Sequence, residues 1–246
     1  MRISLWGGAL ALAVGVFSGI KPVEAALTPA AILEKAEAIR MPGGDSRVET
    51  HVVSTRPDGH RDEASYEVLL KGRDRTLIKT LSPAIDRGTS LLLLAHDLWV
   101  FLPNVSKPVR VSLQQRLIGE VANGDLARAN FIGDYSPKLI ENKRTFYCLL
   151  LTAKSENVTY GQVKLWIHKT SFRPMRAAFY AASGRILKVG SYEDYKSFQG
   201  IMRPSRLVFT DAVEKGKQST ILYSEIARES FPEKLFSKDY LKKLKY

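Results

Sequence analysis

Residues 88–111 read GTSLLLLAHDLWVFLPNVSKPVRV. Two apolar runs, 91–94 and 98–102, flank the short polar stretch Ala95-His96-Asp97, a pattern that predicts a β-hairpin. Side chains alternate across a strand, so Leu91 and Leu93 face one way and Leu92 and Leu94 the other. Trp99 and Phe101 likewise oppose Leu98, Val100 and Leu102. Neither face carries the polar alternation of a half-wet strand. Both must therefore be kept from water. A helix can cover one face; the other needs more protein or an apolar ligand.

The surroundings of the hairpin are mostly strand-like. Upstream, runs at 48–56 and 63–70 flank the turn Pro57-Asp58-Gly59, and 75–81 follows. Downstream, further runs lie at 109–113, 145–153, 162–168, 175–181, 186–195, 205–211 and 218–227, with turn signals at Ser183-Gly184 and Lys215-Gly216. A helix comes first. Thr28 suits its N-cap, Pro29 its first turn, and Pro42-Gly43-Gly44 its end. Its apolar stripe is Ile32, Leu33, Ala36 and Ile39; Glu34, Lys35, Glu37 and Arg40 form the wet face. A last helix starts at Ser237, with Tyr240, Leu241 and Leu244 inward. Residues 112–137 break the β pattern. They place Leu117, Ile118 and Val121, then Leu126, Ala129 and Phe131, at helical spacing, with Asp125 as a cap. One or two short helices inserted between strands are expected there. The fold class is mainly β with flanking helices: about ten or eleven antiparallel strands in one domain over residues 26–246.

Residues 1–25 lie outside that domain. Arg2 supplies a basic end, 5–20 an apolar segment, and Val23-Glu24-Ala25 a small-x-small cleavage site, the pattern of a cleaved secretory signal. The residue directly after the site is Ala26 and not Cys, and no later stretch is long and apolar enough to cross a membrane. The formal net charge is +12; Arg2, Lys21 and Glu24 fall in the leader, which leaves +11. A basic exported chain suits anionic lipid or an acidic partner, and its compartment excludes nucleic acid. Even charge for solubility is the plainer alternative. Lys107, Arg110, Arg116 and Arg128 are the candidate docking residues. Cys148 is the only cysteine, so no internal disulfide exists, and its apolar run marks it as a small core residue.

Little suggests catalysis. His51, His60, His96 and His168 form no metal-binding pair at strand or helix spacing, and no nucleophile elbow, phosphate loop or zinc-protease motif is present. No metal, cofactor or enzymatic activity is expected. The strands supply more apolar faces than one helix covers, consistent either with a cavity for a lipid chain or with a core filled by its own side chains.

The order of elements resembles the periplasmic lipoprotein-carrier superfamily of the LolA and LolB carriers, nearest its outer membrane lipoprotein-sorting branch. The resemblance rests on Asp97-Leu98-Trp99-Val100-Phe101-Leu102-Pro103, then Val109-Arg110-Val111, the insertion GEVANGDLARANFIGDY at 119–135, and Phe236-Ser237-Lys238-Asp239-Tyr240-Leu241. It spans the whole exported chain. The family commonly has Gly-Ser/Thr-Asp-Phe-Ser/Thr before its lid, where this chain has Gly119-Glu120-Val121-Ala122-Asn123.

The resemblance implies a strongly curved antiparallel sheet, an incomplete barrel closed by a helical lid. It implies a soluble periplasmic carrier of acyl chains, with transient membrane contact, an inner-membrane transporter and an outer-membrane acceptor. A strand arginine bonding the lid is also implied, and Arg73 and Arg75 lie in that region. On this reading the hairpin and the insertion face each other across an apolar hollow. Leu92, Leu94 and Trp99 or Phe101 line one wall, while Leu117, Ile118, Leu126, Phe131 and Ile132 close the mouth. An envelope interaction module that carries no lipid is the alternative.

Overall fold

The central hairpin forms as β4 (Ser90–Leu94) and β5 (Asp97–Phe101), with Leu94 paired to Asp97 and Leu92 to Trp99. Its turn is tighter than expected: Ala95, in the left-handed region at φ 54°, and His96 alone connect the strands. The computed structural model describes residues 26–105, 107–127, 130–241, 243 and 244. The expected leader and the docking candidate Arg128 lie outside them.

Before the hairpin come α1 (Pro29–Arg40), β1 (Ser46–Thr55), β2 (Arg61–Lys71) and β3 (Arg75–Ser82). After it come β6 (Val109–Val111), the short ladder β7 (Arg116–Ile118) with β8 (Val121–Ala122), α2 (Asn123–Ala127) and α3 (Phe131–Asp134). The chain continues through β9 (Tyr135–Asn142), β10 (Phe146–Ala153), β11 (Gln162–His168), β12 (Pro174–Tyr180), β13 (Ile186–Phe198), β14 (Ile201–Asp211) and β15 (Gln218–Arg228). It closes with a 3-10 turn (Glu233–Phe236) and α4 (Lys238–Leu241).

Thirteen strands make one antiparallel sheet in the order β6-β5-β4-β3-β2-β1-β15-β14-β13-β12-β11-β10-β9. The sheet does not close, because β6 and β9 remain its edges. It is two strands larger than the upper expectation. The strand absent from the sequence reading, β9, contains Pro137, whose missing N–H is tolerated at an edge. One core cluster joins Leu91 and Leu93 of β4 with Val163 and Leu165 of β11, so the sheet curves around a common interior. Helix α1 lies inside that curve against β9, β12, β14 and α3. Thr28 caps it as expected, its Oγ1 accepting from the Ala31 N–H at 3.2 Å.

The two apolar faces of the hairpin are both covered by protein. Leu91, Leu93 and Leu98 join the inner cluster. Leu92 joins Leu69 and Leu77 on the outer face, beneath Phe231, Phe236 and Leu241 of the C-terminal segment. Leu92, Leu77 and Leu241 are each 0% exposed. That second face is sealed by the short terminal helix and needs no ligand.

Candidate functional site

The insertion crosses the inner side of the curved sheet, and polar contacts tie it to the sheet and to α1, three of them at Ser219, Lys188 and Glu37. The first is a close approach. Gly119 adopts φ +53°, and a Cβ there would lie 1.9 Å from the Ser54 hydroxyl oxygen. This lets the Glu120 N–H donate to Ser219 Oγ at 2.8 Å, and Ser219 in turn donates to Ser54 Oγ at 3.1 Å. A side chain at 119 would hold the strand ladder of the insertion off the sheet.

The second point is a buried ion pair at the start of α2. Lys188 projects inward from β13 and donates to Asp125 Oδ2 and to the Glu120 carbonyl, both at 2.5 Å. Tyr160 donates to the other Asp125 oxygen at 2.7 Å, and the Ala122 N–H donates to Oδ2 at 2.7 Å. The Lys188 ammonium also lies 3.6 Å from the centre of the Phe209 ring. Burial holds Lys188 below its ordinary pKa despite the opposing pull of Asp125. Burial raises the Tyr160 hydroxyl well above its ordinary value, and Asp125 adds to that. An ionic pair with both carboxylate oxygens hydrogen-bonded is tolerated in such an interior, whereas either member alone is not.

The third point joins α3 to α1. Glu37 and Arg40 form a double hydrogen bond at 2.6 and 3.0 Å, both side chains nearly buried. Glu37 Oε2 accepts from the Phe131 N–H at 3.1 Å. Burial opposes the charge of Arg40, but Glu37 and neighbouring groups outweigh it and leave its pKa raised. The sequence reading put Glu37 and Arg40 on a wet face; the structure places them inside, with Glu37 only 6% exposed. Their spacing carried a signal, since Leu33, Glu37 and Arg40 recur at helical i, i+4 and i+7 positions. Lys188 had one too: it alternates with the buried Gly190 and Tyr192 on one face of β13. Arg40 of α1 is the arginine that meets the insertion, its guanidinium lying over the Phe131 ring. Arg75 instead pairs with Glu233 of the C-terminal segment.

The chamber beneath the insertion is nearly full. One internal space of about 30 Å³ is bounded by Arg40, Phe131, Tyr160, Phe179 and Phe209. Another of about 40 Å³ is bounded by Val48, Val68, Leu126 and Tyr223. Each has room on the order of a few water molecules. A larger cleft of about 350 Å³ opens where residues 41–44 after α1, the β2–β3 turn and the insertion meet.

The expected site residues divide between two faces. Leu126 and Phe131 are buried in the inner cluster, and Leu117, Ile118 and Ile132 lie half-buried against it. Leu92, Leu94 and Phe101 belong instead to the outer cluster. Trp99, paired with Leu92, has the Lys238 ammonium 3.9 Å from its ring centre. The inward residues of the hairpin are Leu91, Leu93, Leu98 and Val100. Trp99 and Phe101 share one side by alternation, and the C-terminal segment claims that side.

The basic residues are dispersed. Arg110 contacts Asp97, and Arg116 lies 3.5 Å from Glu120 and 3.9 Å from Asp211. These two line different recesses, and Lys107 is exposed on the β5–β6 connection. Cys148 is fully buried on β10, and burial pushes its thiol up to about 11. Among the described residues, no group of three or more His, Cys, Asp or Glu is placed to hold a metal ion. What the arrangement offers is an apolar compartment closed by a segment held at a few polar points.

A family model described as "Uncharacterized protein" matches residues 72–243. No curated protein matches the chain. Among solved structures, a LolA superfamily protein from Nitrosomonas europaea is 44% identical and superposes with a TM-score of 0.83, covering 87% of this chain and 100% of its own. A domain named for outer membrane lipoprotein sorting, from Vibrio parahaemolyticus, has 21% identity and a TM-score of 0.73 over 87% of this chain and 98% of its own. At that identity the likeness is one of fold.

Proposed function

The chain belongs to the LolA superfamily, and from that premise we propose that it is a periplasmic carrier of a lipid or acylated molecule, held beneath the α2–α3 lid. The observation that carries this reading is the construction of the lid. Its inner face is apolar, through Leu126 and Phe131, yet it is fastened to α1 and β13 by charged groups. A segment needed only as core filling has no use for a buried ion pair to β13 and a buried carboxylate on its backbone, since replacing buried pairs by apolar residues often matches or betters their stability. Charged fastenings suit a segment that must also come away. In the closed form the spaces of about 30 and 40 Å³ leave no room for an acyl chain, so uptake requires α2 and α3 to move. Among the described residues no helix is long and apolar enough to cross a membrane. Cargo is received from an inner-membrane transporter and passed to an outer-membrane acceptor by transient contact, with no covalent step.

The nearly filled chamber also favours a second reading, an envelope interaction module that carries nothing. Organic extraction of protein purified from the cell envelope, followed by mass spectrometry, separates the two. Stoichiometric lipid is expected for the carrier. A clean extract, with no uptake of added lipid, would favour the module.

A further inference from the structure

The cleft of about 350 Å³ beside the lid is lined by three arginines. Arg203, at the start of β14, is 4% exposed. Its Nη1 donates to the carbonyls of Ala38, Ile39 and Met41 at 3.0, 2.9 and 2.7 Å, which caps the end of α1. None of its hydrogen bonds uses Nη2 or Nε. Two more arginines, Arg228 at the end of β15 and Arg73 in the β2–β3 turn, line the same cleft from its rim. Among the described residues neither makes an ion pair. Glu34 and Glu37 line it too, but Glu37 is already matched by Arg40. Burial lowers the Arg203 pKa, and the nearby charge of Arg228 lowers it further, so the two guanidiniums repel each other. The apolar part of the wall is Met41, Leu70 and Ile132, the last belonging to the lid.

We propose that this cleft is a headgroup site: Arg203, Arg228 and Arg73 bind the phosphate or carboxylate of an anionic amphiphile whose chain enters beneath the lid past Ile132. The inference rests on the carrier reading and names the cargo class. A guanidinium presents its donors in a fixed fork that matches a phosphate or carboxylate edge, and a buried one with an unused edge is already oriented for it. The volume suits a headgroup with the first part of a chain. An anion there would relieve the Arg203–Arg228 repulsion. An uncharged amphiphile would gain only the apolar wall.

Calorimetric titration with three probes below their micellar concentrations tests this: dodecyl phosphate, uncharged dodecyl maltoside and inorganic phosphate. The variant is R73E/R228E, whose positions are exposed and lose no ion pair. Dodecyl phosphate is expected to bind at least ~10-fold more tightly than inorganic phosphate, and the double variant to weaken it by ~10–100-fold. Dodecyl maltoside should change by less than ~2-fold. Equal loss of both amphiphiles, or no loss of dodecyl phosphate, overturns the headgroup site while leaving a carrier. Inorganic phosphate binding as tightly as dodecyl phosphate makes the cleft a free-anion site and overturns the amphiphile assignment. Phosphate binding that needs Arg73 and Arg228, with neither amphiphile taken up, overturns the carrier reading itself.

Discussion

The guanidinium carbon of Arg40 lies 4.1 Å from the centre of the Phe131 ring, so the last turn of α1 holds α3 through the same arginine that neutralises Glu37. Removing Glu37 leaves that cation buried without its carboxylate and strips the Phe131 N–H of its acceptor. Glu37→Ala should therefore cost about 3–5 kcal/mol in urea denaturation. Replacing both charges, as Glu37→Gln with Arg40→Met, should cost far less. Hydrogen exchange at the amides of 123–134 should accelerate in the single variant. Unchanged exchange there, with a full stability loss, would mean the pair serves α1 and not the lid.

The fit of α2 to the sheet gives a second test. A Cβ at Gly124 would lie 1.8 Å from Thr159 Oγ1 and 2.9 Å from Thr159 Cβ. Gly124→Ala must shift one element, at a cost of about 1–3 kcal/mol. Adding Thr159→Ala removes the two nearest atoms, so the double variant should be more stable than Gly124→Ala alone. Additive losses in a double-mutant cycle would show that the two positions are not in contact.

Much of this was legible in the chain. The hairpin, the helix cap at Thr28 and most strands follow from alternation and turn residues, which are local signals. β9 hid because Pro137 argues against a central strand and says nothing against an edge. The β7–β8 ladder hid because its strands are only three and two residues long, too short for periodicity. Alternation showed that both faces of the hairpin are apolar, but not which face meets which partner. That choice depends on where 231–244 return, about 140 positions later in the chain. Distance along the chain also hid the partners of Lys188 and Arg203, which lie 63 and 165 positions away at Asp125 and Ala38.

Acid should probe the turn after β14. The Asp211 carboxyl accepts from the Val213 and Glu214 N–H groups at 2.7 and 2.8 Å. Burial opposes the charge, but these bonds outweigh it and hold Asp211 below its ordinary 3.8. A depressed carboxyl pKa stabilises the fold fully above the unfolded value and loses that contribution as pH falls through the folded one. Asp211→Asn should thus lower the urea midpoint at about pH 6, and the gap to the unsubstituted protein should shrink toward about pH 2. A gap that stays constant across that range would detach the stabilisation from ionisation.

The division of the hairpin into inner and outer faces can be tested with two leucines. Leu92 is 0% exposed in the outer cluster, and Leu126 is 6% exposed in the inner one. Truncating either to alanine removes a buried side chain of the same size, at a cost of about 2–5 kcal/mol. Their stability losses should therefore be comparable. Their effects on cargo should not be. On the carrier reading Leu126 is part of the lid, so Leu126→Ala should reduce the lipid extracted per mole of folded protein. Leu92 meets Phe231, Phe236 and Leu241 across the sheet from that chamber, so Leu92→Ala should leave the lipid content unchanged. Stability and extracted lipid would be measured on the same preparations. If Leu92→Ala lost as much lipid as Leu126→Ala, the outer face would be part of the binding surface and the C-terminal segment would be a second lid.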